Sequence, residues 1–469
     1  MKTLLLIIVS LCTLSGIAAQ ERRWFLAGSF SAISNNNSTT NANNIAYTNN
    51  MGQSWFPLGS GTNGIINTVF VDTCSNVYIG GAFTSAGGIS TNVPVAVWAS
   101  RATNWSPVSK APLALTSTSK SPVIYSITAD CDAGCGSCKI YVGGMFGYTL
   151  SDGKIATGVM MFDNATSKWD ALGGERNHRI TEQDHVHVVS KKEHGVTEGP
   201  VNFLFVGGDF DRYLRYLNTS TGIWNEIDNS VDDPGYSVHS ISYNDATLKG
   251  TRRQLYVGGH FNSRSSTGVT CSNLCVLDMH KWLLSPVLSS PVVGEIDSVS
   301  HSGTDLFVGG DFADIANQTL LTTFMTISDA GSNSQVLRTS TNITDQIIFT
   351  YACGPKDKNC TQGVVGMVSQ AGKVSFFNKN TGTFSDLNTI TNGVVKTFTS
   401  GFYSEQVIIN PTHPTESNDT VKKVVGIIFI VIVLLILIIV FASLIYERYL
   451  KRKKTLRELN ERQMREAEL

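Results

Sequence analysis

The chain has 469 residues, with 36 lysines and arginines against 37 aspartates and glutamates, and its formal net charge is −1. The central part of the chain carries no basic stripe, so its composition argues against a nucleic-acid partner. Glycine is abundant, with 42 residues. Several of the glycines stand in pairs that recur along the chain, and this recurrence is the strongest signal in the sequence.

The amino terminus has the layout of a secretory signal peptide. Lys2 precedes an apolar run over residues 4–11, and small residues follow at 15–19. This pattern predicts a leader over residues 1–19 that is cleaved near Ala18 or Ala19. The mature protein is therefore expected to begin close to Gln20 and to be exported.

A short phrase recurs six times and then once in degraded form; it reads Val-Gly-Gly-x-Phe in four copies, Ile-Gly-Gly-Ala-Phe in the second and Leu-Ala-Gly-Ser-Phe in the first. The copies begin at residues 26, 79, 142, 206, 257, 308 and 364, so their spacings are 53, 63, 64, 51, 51 and 56 residues. These spacings fit one four-stranded sheet with its loops. The sequence predicts an all-β fold, a seven-bladed β-propeller over residues 20–409.

Each repeat is expected to run through an inner strand, the Gly-Gly strand, a third strand and a strand that carries an aromatic residue. Asn/Thr/Gly-rich turns precede that aromatic residue and are typical of hairpins. Trp55, Trp105 and Trp282 occupy this place and are expected to fill the wedge between blades. The paired glycines predict a close approach of backbone or of a ring, since glycine inside a strand otherwise weakens it.

The ends of the repeat predict how the ring closes. The first unit starts directly at its Gly-Gly strand, residues 24–30, while an orphan strand at residues 394–398 follows the last unit. That orphan strand is expected to complete the first blade and to remove an exposed sheet edge.

The Gly-Gly and Trp layout resembles kelch-type propellers. The phrase Tyr/Phe-Val-Gly-Gly-x-Phe, followed by an apolar strand and Trp, resembles the large fungal cortical-marker family for cell polarity. The resemblance covers about residues 24–400. It implies a kelch-like propeller ectodomain joined to a carboxy-terminal membrane helix, and a role in cell polarity.

Eight cysteines remain once Cys12 in the leader is set aside, and an even count in an exported chain favours disulfides. Cys131, Cys135 and Cys138 have the spacing of an iron–sulfur motif, but that chemistry needs a reducing compartment. The favoured pairs are Cys131–Cys138, Cys135–Cys74, Cys353–Cys360 and Cys271–Cys275, the last in a loop of the fifth blade. The connectivity stays open because eight cysteines allow 105 pairings.

Four histidines form the only dense group of metal-capable side chains in the sequence: His178, His185, His187 and His194. His185 and His187 share a face of a predicted strand, whereas His178 precedes that strand and His194 follows it. One four-ligand metal site is therefore disfavoured against a polar loop insertion. No catalytic motif and no cofactor site is recognisable, so the chain gives no positive sign of an enzyme.

Nine Asn-x-Ser/Thr acceptors predict glycosylation, and all of them lie between the leader and the carboxy-terminal apolar run. We call the edge where innermost strands begin the amino rim and the opposite edge the carboxyl rim. Asn104, Asn164, Asn218 and Asn359 are expected on the carboxyl rim, Asn36, Asn37, Asn317 and Asn342 on the amino rim, and Asn418 in the stalk.

The amino rim of blades two to five is thus free of predicted glycan, and its loops over residues 84–94, 147–156, 173–184, 231–237 and 262–273 are long. A protein or glycan partner is expected to dock there, because loops on a rigid scaffold commonly carry recognition. The candidate contacts are Arg176, His178, Arg179, Asp232, Asp233, Tyr236 and Arg264.

Residues 424–446 form an uncharged apolar run of 23 residues, roughly 35 Å long as a helix and enough to cross a bilayer core. Residues 410–423 precede it as a short stalk. The basic residues of the tail, 447–469, place the tail inside the cell by the positive-inside rule. That tail is expected to be a solvated stub with a short exposed helix, or alternatively a docking helix for a cytosolic adaptor.

The leading interpretation is a type I single-pass glycoprotein of the plasma membrane or a secretory-pathway membrane. Its propeller is expected to act in recognition, as an adhesion molecule, a receptor or a polarity landmark. Two alternatives remain, a membrane-tethered enzyme like the kelch-type oxidases and a luminal cargo receptor.

Overall fold

The fold is all-β over the part of the chain that the computed structural model describes. The described residues are 446, 448–454 and 21–403, the last with gaps at 36–37, 51, 101, 120, 133–136, 173–179, 195–200, 228–235, 245–253, 265–269, 280–281, 289–290, 303–304, 315–320, 329–334, 340–346, 353–363, 370–371, 379–380 and 382. The chain divides into two compact units, Met1–Glu405 and Gln406–Leu469.

The second unit is described only in its tail, where residues 448–454 are helical and exposed. Residues 457–462, whose charge spacing predicts the short exposed helix, lie outside the described residues. Among the described residues, no helix is long and apolar enough to cross a membrane. The predicted leader, the stalk and residues 424–445 of the predicted membrane helix lie outside the described residues.

The strands of the first unit are short and follow one another closely. In chain order they are β1 Glu21–Ser29, β2 Ala32–Asn35, β3 Ser38–Asn41, β4 Ile45–Thr48, β5 Phe56–Pro57, β6 Ile65–Val71, β7 Val77–Ala82, β8 Ser85–Ala86, β9 Ile89–Ser90, β10 Val95–Ala99, β11 Asn104–Pro107, β12 Ala114–Leu115, β13 Val123–Cys131, β14 Cys138–Thr149, β15 Ile155–Asp163, β16 Lys168–Asp170 and β17 His185–His194. They continue with β18 Val201–Asp209, β19 Leu214–Asn218, β20 Ile223–Glu226, β21 Ser237–Asn244, β22 Gln254–Arg264, β23 Thr270–Asp278, β24 Leu283–Pro286, β25 Val292–Ser302, β26 Asp305–Asp314, β27 Leu321–Ser328, β28 Gln335–Thr339, β29 Ile347–Ala352, β30 Val364–Ser369, β31 Lys373–Asn378, β32 Thr383–Thr391 and β33 Val394–Tyr403.

These strands form antiparallel sheets in the order that the repeat predicts. The strand orders are β33-β1-β4-β5, β6-β7-β10-β11, β13-β14-β15-β16, β17-β18-β19-β20, β21-β22-β23-β24, β25-β26-β27-β28 and β29-β30-β31-β32, and β8 and β9 form a small separate hairpin. The prediction of four strands in every sheet is wrong for two sheets. Strand β12 also pairs with β14, and the β2-β3 hairpin extends the sheet of β29–β32 to six strands.

The sheets are arranged as a propeller around their innermost strands. Strands β33, β6, β13, β17, β21, β25 and β29 contact one another in this order, and β29 contacts β33 in turn. Between the sheets lie clusters of buried apolar side chains, each drawn from two neighbouring repeats. The hydrophobic cores are therefore the wedges between sheets, as a propeller requires.

The two ends of the first unit are joined twice. Strand β33 pairs with β1 along its length, from Glu21 opposite Tyr403 to Ser29 opposite Val394, which confirms the predicted closure. The sequence did not reveal the second junction, in which β2 pairs with β32. There the Asn392 side chain accepts hydrogen bonds from the backbone of Ser31 and Ala32, at 3.0 and 2.9 Å.

The paired glycines have the packing role that the sequence predicts. A side-chain carbon on Gly81, the second of its pair, would overlap the carbonyl oxygen of Ile65 in the same sheet. One on Gly80, the first of the pair, would overlap the Ile124 side chain of the next sheet. The pair thus allows close contact both within a sheet and between sheets.

The tryptophans fill the wedges as predicted. Trp105 donates its indole N–H to the carbonyl oxygen of Leu58 in the preceding repeat, at 3.1 Å. Trp224 does the same to Leu172, at 3.0 Å. Since both indoles are buried, these bonds satisfy the one polar group that each ring brings into the core.

Two of the proposed disulfides are present, Cys131–Cys138 and Cys271–Cys275. Cys74 is also disulfide-bonded, while Cys135, Cys353 and Cys360 lie outside the described residues. The prediction that Cys271 and Cys275 lie in a loop is wrong, because both cysteines belong to β23. Their Cα atoms are 5.9 Å apart. Asn273 between them has a positive φ of 61° and lies where the pairing of β22 with β23 shifts its register.

The long amino-rim loops are in part hairpins. Residues 84–94 contain β8 and β9, half of 147–156 belongs to β14 and β15, and β22 and β23 extend into 262–273. In these three segments, paired strands replace part of the predicted open loops, while residues 173–179, 231–235 and 265–269 of the predicted loops lie outside the described residues.

Candidate functional site

The innermost strands surround a central channel with a cavity of about 620 Å³. Its described lining comes from β6, β13, β17, β21, β25 and β33 and is largely polar. Serines recur in it, at Ser126, Ser190, Ser240, Ser242, Ser298 and Ser300. A polar cavity of this size on a rigid scaffold is the natural place to look for a binding site.

Every innermost strand carries a β-bulge at or before its middle, and the bulge inserts one extra residue into the strand. These residues are Asn67, Tyr125, His187, His239, Asp297, Ile348 and Lys396. All but Ile348 are among the described lining of the cavity. A bulge re-aims a side chain, so in six of the sheets the bulge delivers one variable residue to the channel. We call these six residues, without Ile348, the bulge ring.

In five of the sheets the bulge lies opposite the paired glycines. In the fourth sheet, Val186 pairs with Gly208 and Val188 with Gly207, so His187 is the extra residue. A side-chain carbon on Gly208 would overlap the carbonyl oxygen of His185. The motif that defines the fold therefore also makes room for the bend that exposes the channel residue.

Three consecutive members of the bulge ring, Tyr125, His187 and His239, touch one another. The ring centroid of His187 lies 5.5 Å from that of Tyr125 on one side and 5.4 Å from that of His239 on the other. His185 also packs on Tyr125, at 5.6 Å. Side chains from β13, β17 and β21 thus form one aromatic and imidazole cluster in the channel.

Two carboxylates of β25 face the last imidazole of this cluster. His239 Nδ1 is 3.3 Å from Glu295 Oε1 and 3.9 Å from Asp297 Oδ1. The backbone of Ile296 hydrogen-bonds the same ring. One donor atom from each of His239, Glu295 and Asp297 lies within 4.8 Å of the other two.

The two imidazoles are held neutral at neutral pH. Burial, together with the neighbouring His239 and His185, lowers the pKa of His187 to about 4. Burial also lowers the pKa of His239, against the opposing pull of the Glu295 carboxylate. A neutral imidazole keeps a lone pair available for a hydrogen-bond donor or a metal ion.

A second metal-capable group, Asp72 with Cys131 and Cys138, is also present. Both sulfurs are used in a disulfide, so this group has no thiolate to offer. Elsewhere in the channel, His301 Nδ1 lies 2.8 Å from the Ser242 hydroxyl. The cluster around His239 is therefore the more suitable place for a cation among the described residues.

The histidines of the sequence analysis are only partly brought together. The rings of His185 and His187, both on β17, contact each other, with centroids 5.9 Å apart. His194 is the last residue of β17 and does not follow the strand as predicted. His178 lies outside the described residues. Sequence reasoning missed His239, which stands 52 residues beyond His187 but contacts it directly.

Most of the candidate partner contacts are not described. Arg176, Arg179, Asp232 and Asp233 lie outside the described residues, and Arg264 is placed only as the end of β22. Tyr236 is half-buried at the amino rim, where its hydroxyl accepts a hydrogen bond from the Asn262 amide at 2.6 Å.

Three of the predicted glycosylation sites are described, and all three lie on the carboxyl rim as expected. Asn104 and Asn164 are exposed, and Asn218 is half-buried at the end of β19. The others lie outside the described residues: Asn36, Asn37, Asn317, Asn342, Asn359 and Asn418.

The missed channel residues have a weak signature in the sequence. Most innermost strands read aliphatic-x-x-aliphatic, as in Val186 to Val189, Val238 to Ile241 and Ile296 to Val299. The residue after the first aliphatic is the member of the bulge ring. Aligning the repeats on this pattern would have found it.

No family model matches the sequence, and no curated protein matches it. The propeller is therefore established by the strand arrangement alone. The resemblance to kelch-type propellers and to the cortical-marker family stays a prediction.

Proposed function

We propose that the chain is a single-pass membrane glycoprotein whose propeller recognises a protein partner through its amino rim. The seven large sheets are taken as seven blades of one closed ring. Such a ring is a rigid platform, and on such platforms recognition is carried by the segments that join the strands.

The observation that carries the proposal is the uneven distribution of exposed apolar side chains. On the amino rim of the described propeller, the large exposed apolar residues are Ile65, Ile89, Leu115, Ile155, Val293 and Val394, and on the carboxyl rim they are Phe56 and Ile223. Exposed apolar side chains gathered on one face favour a protein partner. The described glycosylation sites lie on the other face.

Leu115 and Ile155 mark the densest part of this face. Leu115 pairs with Tyr148 and Ile155 with Thr149, so both flank the end of β14. Ile155 is 43% exposed and Leu115 is 41% exposed. Strand pairing orders the backbone at both positions, which limits the backbone entropy lost when a partner binds.

The membrane part of the proposal rests on the sequence. The apolar run 424–446, the leader and the basic tail together favour an exported propeller and a cytoplasmic carboxy terminus. Either the plasma membrane or an internal secretory membrane satisfies these signals. Glycosidase treatment of the full chain should lower its mass. Protease added to sealed microsomes should remove the tail, which faces the cytoplasm, and spare the propeller in the lumen.

Recognition is tested by placing a glycan on the amino rim. The substitution Ile155→Asn creates the acceptor Asn-Ala-Thr at residues 155–157. Fluorescent proteoliposomes carrying the full chain are measured for binding to cells that naturally express it. We expect the glycan to reduce binding at least about tenfold, because it covers the central contact area.

Two control variants are matched to this test. Ile155→Gln changes the polarity without a glycan, and Ile223→Asn with Asn225→Thr places a glycan on the carboxyl rim. The second control should leave binding unchanged. Equal loss with glycans on both rims, or no loss with Ile155→Asn, would reject the amino rim as the binding face.

A further inference from the structure

We propose that the channel holds one divalent transition-metal ion of the zinc class, bound by His239 from β21 and by Glu295 and Asp297 from β25. This site goes beyond the proposed partner surface and does not depend on it. It would join the innermost strands of two neighbouring sheets.

The distances fit such an ion. Zinc bonds to imidazole nitrogen and carboxylate oxygen are about 2.0–2.2 Å, which places neighbouring donors of a tetrahedron roughly 3.2–3.6 Å apart. The 3.3 Å between His239 Nδ1 and Glu295 Oε1 lies in this range, and the 3.9 Å to Asp297 Oδ1 lies just above it. A small side-chain rotation brings all three donors to one ion.

The donor types select the class of ion. A site for calcium or magnesium is built from oxygen ligands alone, whereas an imidazole suits zinc and its neighbours in the first transition row. The two carboxylates offset the charge of a divalent ion, so the cluster becomes neutral when the ion binds.

The surroundings support His239 as a ligand. The backbone of Ile296 hydrogen-bonds its ring, and metal-bound histidines are usually oriented by such a bond. His239 and Asp297 line the channel cavity. Three protein ligands leave a further coordination position, which a water molecule or an oxygen atom of a ligand in the cavity would take.

The test uses the full chain in detergent with its disulfides intact, after dialysis against a chelator. Zinc binding is measured by isothermal titration calorimetry, and the visible absorption of added Co²⁺ reports the coordination. We expect one zinc ion per chain and no comparable heat with Ca²⁺ or Mg²⁺. Removing a residue that only hydrogen-bonds a metal ligand lowers metal affinity about 10–100-fold. Glu295→Gln or Asp297→Asn removes a ligand itself and should therefore weaken zinc binding at least about 100-fold.

The control variant is His301→Ala, which removes another channel histidine and should leave zinc affinity within about twofold. Glu295→Gln and Asp297→Asn keep the shape of the side chains, so folding is preserved and is checked by circular dichroism. The proposal is overturned if the wild-type chain binds no zinc or prefers Ca²⁺. It is equally overturned if His187→Ala abolishes binding while Glu295→Gln leaves it intact.

Discussion

At the scale of single residues, the second glycine of each pair is the position where the fold tolerates least change. In five repeats its missing side chain makes room for a backbone carbonyl oxygen, as between Gly144 and Val123, or Gly259 and Ser237. That carbonyl belongs to the residue two positions before the bulge-ring residue. One residue type therefore serves both strand packing and the geometry of the channel.

Gly144→Ala is expected to destabilise the protein by about 2–4 kcal/mol, because the new carbon would force β13 and β14 apart at Val123. The midpoint of chemical denaturation of the full chain measures the effect. Gly222→Ala is the matched control, since Gly222 has a positive φ of 72° and open space around it. Gly222→Ala should lower the free energy of unfolding by only about 1 kcal/mol, because alanine is strained in the left-handed backbone conformation. Equal losses at both positions would contradict the packing role.

At the scale of the strands, the predicted order of strands within each repeat is confirmed, and the errors lie at the edges of the sheets. The sequence predicts β33 as the partner of β1, because an orphan strand at one end matches a missing strand at the other. It does not predict the β2-β3 hairpin on β32, because polar stretches such as Ser38–Asn41 have no apolar alternation to mark them as strands.

The second junction gives a prediction at this scale. Asn392→Ala removes two hydrogen bonds that the side chain accepts from Ser31 and Ala32. We expect the free energy of unfolding to fall by about 1–2 kcal/mol, a modest loss because water can replace these bonds at an exposed site. Backbone hydrogen exchange over residues 31–35 should become faster. Asn225→Ala, which removes only a local bond to Ile223, should leave this exchange unchanged. Unchanged exchange in Asn392→Ala would mean that the side chain does not hold the junction.

At the scale of the whole propeller, stability depends on closing the ring. Phe398 is fully buried where the ends of the first unit meet. It stacks on Trp24 at 5.3 Å and meets Phe376 edge-on at 5.9 Å. A side-chain carbon on Gly366 of the last repeat would overlap this ring. The first and last repeats therefore share one core, and opening it should loosen both.

Phe398→Ala is expected to destabilise the protein by about 3–5 kcal/mol through the cavity that it leaves. Hydrogen exchange should rise in β1, β30 and β33 together, because these strands share the wedge. Val394→Ala, at the exposed start of the same strand, should change stability by no more than about 0.5 kcal/mol. A rise confined to β33 would show that the closing strand is an appendage and not part of the ring.

The sequence by itself determined the propeller, the strand order and the closure of the ring, because these follow from patterns that recur in every repeat. Only the tertiary structure decided which variable residues meet. His187 and His239 stand 52 residues apart, and Asp297 is 58 residues further on. The bulge in each innermost strand aims them at the same channel. Nothing in one repeat shows its neighbour's side chains, so the site exists only once the sheets are packed around a common axis.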